Sequence, residues 1–230
     1  MIYFSKGYIE FLDQLNHNNN THWFRENKKW YELTVREPFK KLLMDLLPKV
    51  NKMDPEIKMQ AKEALFRISR DMRFSKHQYP YKTHMAAGFS KGGRKSKFAG
   101  YYLQIGRSVT AIGGGLPYLD REALRKIRIE IGYNQNKFNE IIQDPVFTGL
   151  YGSLLGEIDG ELPNSFSDIS ASNPIISRKQ IYYTAFYRTE NIIFRKDLIP
   201  FIMNHYQAGY QLNSFLIHAV SNFKKSIYQS

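Results

Sequence analysis

Phe66-Arg67-Ile68-Ser69-Arg70-Asp71-Met72-Arg73-Phe74 is the stretch on which the fold assignment turns. Phe66, Ile68, Met72 and Phe74 fall on even positions; Arg67, Ser69, Asp71 and Arg73 fall on odd ones. Alternation with a period of two is the mark of a strand with one buried face. A helix would instead line up Arg67, Arg70 and Arg73 along one side. The strand is the preferred reading, and it makes Arg70 the exception. Arg70 sits on the apolar side and needs a partner there, whereas Arg67 and Arg73 share the other face with Asp71.

Outward from this segment the pattern changes. On the N-terminal side the sequence predicts helices. Residues 5–15 place Ile9, Leu12 and Leu15 on one face. After the Asn-rich break at 16–20, Thr21 is a suitable N-cap for a helix carrying Trp23, Phe24, Trp30 and Tyr31. Pro38 opens a further helix with Phe39, Leu42, Leu43, Leu46, Leu47 and Val50 inward. On the C-terminal side, Tyr101, Leu103 and Ile105 alternate with polar or small neighbours, and Gly106-Arg107-Ser108 turns the chain into Val109–Ile112. This reads as a hairpin ended by Gly113-Gly114-Gly115. Asp120 caps a helix to about Ile131, and a second follows near 136–142. A strand is expected at Ile181–Phe186. Asp197 caps a long last helix with Phe201, Ile202, Phe215, Leu216, Ala219 and Phe223 inward. Helices, then strands, then helices give an α+β class, a mainly antiparallel sheet packed against N-terminal and C-terminal helices. Residues 1–230 are expected to form a single domain.

Of the 230 residues, 43% are hydrophobic, which is enough for a sizeable core. There are no cysteines, so disulfides, thiolate metal sites and cysteine nucleophiles are excluded. The N-terminus has no apolar signal region and no apolar run approaches the ~18 residues of a membrane span. The expected compartment is the cytoplasm, with no membrane partner.

The net charge is +12. Its distribution is uneven: from Arg67 to Arg107 there are ten basic residues and one acid, Asp71, a net +9. Such a field attracts phosphates, nucleic acid or acidic partners. The bland alternative is a solvated basic face.

Familiar catalytic motifs do not hold. Gly88-Phe89-Ser90-Lys91-Gly92 has nucleophile-elbow spacing, yet a flexible basic loop follows where a helix is required. Gly88 and Gly93 have P-loop spacing, yet Arg94-Lys95 replaces the Lys-Ser/Thr pair. That loop reads as disordered or closing over an anion. Gly113-Gly114-Gly115 is no dinucleotide fingerprint; it reads as a turn or bulge, or as a place of close backbone approach. The six histidines include no pair at zinc-binding helical spacing, so no metal is expected. His84, beside the basic segment, and Asp71, the lone acid within it, are the candidate catalytic groups, with Asp71 otherwise orienting Arg70 or Arg73.

Asn18-Asn19 with Trp23-Phe24, then Asn27 and Tyr31, the run from Phe66 to Ser75 and Pro80-Tyr81-Lys82-Thr83 together resemble the bacterial family called domain of unknown function 2461. Gly100-Tyr101-Tyr102, the three glycines and the helix with Arg125 and Arg128 fit it too. The chain departs from the family at Gln78, where a lysine is usual, at Pro117, and at Ser165-Phe166 and Asn173-Pro174. The resemblance covers most of the chain and implies its extent and the location of its site, without a reaction.

Three functions follow from the residues. In the first, Arg67, Arg70, Arg73, Lys82, Tyr81 and Arg107 form a pocket for a phosphate-bearing or carboxylate ligand, which catalysis would exploit through electrostatic stabilisation. In the second, the basic stretch with Tyr79, Tyr81, Tyr101 and Tyr102 binds nucleic acid by phosphate contact and stacking. In the third, the arginines are internally paired, with Arg70 buried against Glu26 or Glu32. No cofactor follows from the residues.

Overall fold

A computed structural model describes residues 1–72, 78–94, 96–159, 166, 170 and 173–221. The N-terminal half is helical, as the periodicity predicts: α1 (Lys6–His17), α2 (Thr21–Glu26), α3 (Lys28–Tyr31), α4 (Glu37–Met53) and the short α5 (Ala61–Ala64). Asn20, rather than Thr21, caps α2, its side chain accepting from the Trp23 amide at 2.9 Å. Between α3 and α4 lies a π-helical turn, Glu32–Arg36. Pro38, which has no amide hydrogen to give to a regular helix, follows it directly.

The sheet is antiparallel with strand order β1-β2-β3-β4. Its strands are β1 (His84–Ser90), β2 (Gly100–Gly106), β3 (Val109–Leu116) and β4 (Ile181–Arg188). Between β3 and β4 come α6 (Arg121–Tyr133), α7 (Gln135–Ile142) and α8 (Pro145–Tyr151), and a long last helix, Leu198–Ser221, follows β4. The α+β class is therefore correct. Two local expectations change. β1 takes in Gly88–Ser90, the start of the stretch expected to be a basic loop, and no strand was expected at His84–Ala87, because Met85–Ser90 is buried on both faces and shows no alternation. The three glycines do not end the hairpin: β3 continues through them to Leu116, with Gly115 alone in the left-handed region at φ 100°.

The chain divides into two compact units, the first made of Met1–Lys95, Tyr102–Ile112 and Phe186–Asn204, the second of Ser96–Tyr101, Gly113–Ala185 and His205–Ser230. In the first, Phe11, Leu12, Leu15, Val35, Phe39, Leu42, Leu43 and Leu46 are fully buried. These are the apolar stripes of α1 and α4, which is why those helices form and where they face. The Phe11 ring lies within 6.3 Å, centroid to centroid, of Trp23, Phe24, Trp30 and Tyr31. The Tyr8 hydroxyl donates to Ile105 O at 2.8 Å and that of Tyr31 to Met85 Sδ at 3.6 Å, fixing the helices to the strands.

The second unit is centred on Phe138, Phe147, Tyr183, Tyr206, Leu212 and Leu216. Asp120 and Asp144 cap α6 and α8, accepting from Ala123 N at 2.7 Å and Phe147 N at 2.9 Å. The buried Arg128 donates to Ile176 O at 2.8 Å and to Asp159 at 3.0 Å. The Tyr183 ring runs between two glycines: a Cβ added at Gly114 or at Gly209 would fall on its phenol end. No helix of the described residues is long and apolar enough to cross a membrane.

Candidate functional site

The Arg67–Arg70 segment lies in the first unit; it is not the strand that the alternation predicts, because the chain bends at Ile68 and pairs only locally. It pairs antiparallel with the chain entering and forming β1, through bridges at Ser69–Tyr81 and Leu65–Ala87. Arg70 N donates to Pro80 O at 2.8 Å, Lys82 N to Ile68 O at 2.9 Å and Phe66 N to Ala86 O at 2.9 Å. The pairing is thus made by isolated bridges, without a continuous ladder. Three residues lie between the two bridges on one side and five on the other. The two extra residues form a bulge opposite Arg67, at Thr83–Met85. A bulge re-aims side chains, and this one positions His84.

This register sorts the side chains by face. Ile68 lies opposite Lys82 and Arg70 opposite Pro80, so Ile68, Arg70 and Lys82 share one face, with Arg70 and Lys82 as diagonal neighbours. Ile68 is 7% exposed, which marks that face as the inner one. Arg70 is half-buried there, as the alternation required, and its Nε is buried with no hydrogen-bond acceptor among the described residues. Lys82 Nζ reaches the Arg67 carbonyl at 3.3 Å. Burial and the neighbouring Arg70 hold the Lys82 ammonium below its ordinary pKa. Among the described residues no carboxylate is paired with Arg67, Arg70 or Lys82. Glu26 faces His22 and Glu32 pairs with Arg36, so neither is the expected partner of Arg70.

His84 is mostly buried beside these cations. Burial, then Lys82, then Arg70 push its pKa down to about 4. Its imidazole is therefore neutral at neutral pH, able to donate from one nitrogen and accept at the other.

The other predicted site residues are distributed differently. Tyr81 lies on the outer face, its ring stacked on Phe24 at 4.0 Å and 15°. Its backbone is held by Asn19, whose Nδ2 donates to Tyr81 O and whose Oδ1 accepts from Tyr81 N, both at 3.0 Å. Arg107 sits at the β2–β3 turn and is joined to Asp13 at 3.0 Å. Asp71 is exposed and follows the last bridged residues. Arg73 lies outside the described residues. The basic loop after β1 is tied down: Lys91 pairs with Glu56 at 2.9 Å, and Arg94 donates to Glu63 O. Arg94 and Lys82 also lie 5.7 and 5.8 Å from the centroid of the Phe66 ring. Among the described residues no group of histidines and acids could hold a metal ion.

What sequence reasoning missed is Asn19 and the bulge. The signal for Asn19 was the Asn-Asn pair before Trp23-Phe24, a motif without a local structural reason. A family model, that of a conserved hypothetical protein, DUF2461, matches residues 7–215. The chain belongs to the DUF2461 family. In this DUF2461 chain part of the set that carried the resemblance meets in space within the first unit: Asn19 grips Tyr81, Phe24 stacks on it, and the arginine segment pairs beside it. The curated proteins include no match to the chain.

Proposed function

We propose that this protein binds an oxyanion, phosphate-bearing or carboxylate, at the inner face shared by Arg70 and Lys82. The observation that carries the reading is the Arg70 Nε, buried and, among the described residues, without an acceptor, next to a lysine that also lacks a carboxylate among them. A buried donor left unmet costs about 1–3 kcal/mol, and like charges as diagonal neighbours add to that. A ligand oxygen would remove both costs together. The guanidinium fork matches such an oxygen pair, and the Lys82 ammonium adds a point charge. Arg67 flanks the site with its carbonyl already engaged by Lys82. If a reaction occurs there, the neutral His84 is the group placed to move a proton.

The nucleic-acid reading draws less support. It needs the basic stretch to present a continuous row of available cations. Lys91, Arg94 and Arg107 are instead committed to Glu56, the Glu63 carbonyl and Asp13.

The test is thermal stabilisation and calorimetric titration with phosphate, sulfate and acetate at low ionic strength, for the wild type and Arg70→Gln. Saturable binding near one anion per chain, lost in the variant, is expected. Stabilisation by DNA or RNA alone, falling steeply with salt, would replace this reading with the nucleic-acid one.

A further inference from the structure

The charge and geometry of the site go further than "an anion", and this inference rests on the oxyanion-binding reading above. The inner face carries two cations, Arg70 and Lys82, brought together by the antiparallel pairing of residues 68–70 with 80–82. Neither is neutralised by a carboxylate among the described residues. The third polar group facing them is an imidazole on the adjoining bulge, and it contributes no charge at neutral pH. Asp71, the acid closest in sequence, is exposed, at the odd position following Arg70.

We infer that the ligand group is a doubly charged tetrahedral oxyanion, the terminal dianion of a phosphate monoester or a sulfate, rather than a carboxylate or a phosphodiester. A monoanion would leave one of the two half-buried cations unmatched, whereas a dianion balances both. The shape fits as well. Arg70 and Lys82 come from two paired segments and His84 from the bulge beside them, so the three donors are supplied from three different points of the chain. A tetrahedral group has oxygens for three such donors; a planar carboxylate has two, both in one plane. The hydrogen-bond partner that His84 offers as a neutral donor also remains when the ligand carries its full charge.

The experiment is isothermal titration at pH 7.5 and low salt with four probes: methyl phosphate, sulfate, dimethyl phosphate and acetate. Methyl phosphate and sulfate should bind at least about tenfold more tightly than dimethyl phosphate and acetate, since a second charge near two partly buried cations gains Coulomb energy that a monoanion cannot. Lys82→Gln should reduce that preference while keeping some binding of every probe. Arg70→Gln should abolish binding, with folding of each variant checked by its circular dichroism and melting curve. Equal affinity for all four probes would overturn the dianion inference and leave the oxyanion site standing. Binding of none of them would overturn the site itself.

Discussion

The side-chain amide of Asn19 makes two hydrogen bonds to a single residue 62 positions away, donating to Tyr81 O and accepting from Tyr81 N, each at 3.0 Å. The other face of the same backbone is occupied by the bridge to Ser69. Asn19 therefore takes the place of a further strand, completing the pairing of a segment that would otherwise present an unpaired edge. Aspartate could not substitute, because it lacks the donor for Tyr81 O.

Asn19→Ala should then destabilise the protein by about 2 kcal/mol, since both polar groups of Tyr81 lose their partner while remaining partly buried. For a chain of this size that corresponds to a melting temperature roughly 4–8 °C lower. Asn19→Asp should fall between the two. Thermal denaturation followed by circular dichroism provides the measurement.

Arg70→Met should behave in the opposite sense from an ordinary half-buried arginine substitution. The Nε it removes has no acceptor among the described residues, and the charge it removes repels Lys82. The ligand-free variant should be as stable as the wild type or more so, by up to about 1 kcal/mol. Its stabilisation by phosphate should vanish. A variant that is less stable by several kcal/mol in the absence of anion would show that Arg70 has a structural partner.

The pH dependence follows from His84, whose pKa falls from 6.5 to about 4 on folding. Between those values the unfolded chain binds a proton at this residue and the folded chain does not. Stability therefore rises with pH through that window, and the contribution is complete above pH 6.5. The loss on going down to pH 4 is on the order of 3 kcal/mol at this residue. Urea unfolding of the wild type and His84→Gln at pH 4.5 and 7.5 measures it: the variant should lose less stability on acidification. Saturating sulfate should flatten the wild-type dependence, because the anion offsets the two cations that help keep His84 neutral.

In the second unit, Asp159→Ala should cost roughly 3 kcal/mol. It would leave the Arg128 guanidinium, 5% exposed, with only the Ile176 carbonyl among the described residues. The double change Arg128→Met with Asp159→Ala should recover much of that, which guanidinium chloride denaturation would detect.

The helices could be read from the sequence because their apolar positions recur at helical spacing and their caps are local. α1, α4 and α6 lie within a few residues of the expected spans. The β2–β3 hairpin was equally legible from its alternation. β1 was not, since a strand buried on both faces has no period. In the arginine segment the alternation held through Ile68 and Arg70 but failed at Met72, which is exposed. The residue types of the site were visible, and so was the need of Arg70 for a partner. Its arrangement was not, because it depends on contacts far apart in sequence: Asn19 with Tyr81, Arg107 with Asp13, and the two-residue mismatch that makes the bulge. None of these leaves a periodic trace.

The Tyr183 phenol, lodged between Gly114 and Gly209, behaves as a key in a two-sided lock whose wards come from distant parts of the chain. Neither glycine is free to drift to alanine while the key keeps its full length, since a methyl on either side would occupy the place of the phenol end. Removing the ring by Tyr183→Ala should clear the Gly209 side, so that Gly209→Ala is tolerated better in that background than alone; Tyr183→Phe should not suffice, because the ring carbons Cζ and Cε2 that it keeps also lie against the added methyl. A triplet that looks like a turn in the sequence is then part of a size constraint, which at Gly114 the Gly100 carbonyl enforces together with the phenol.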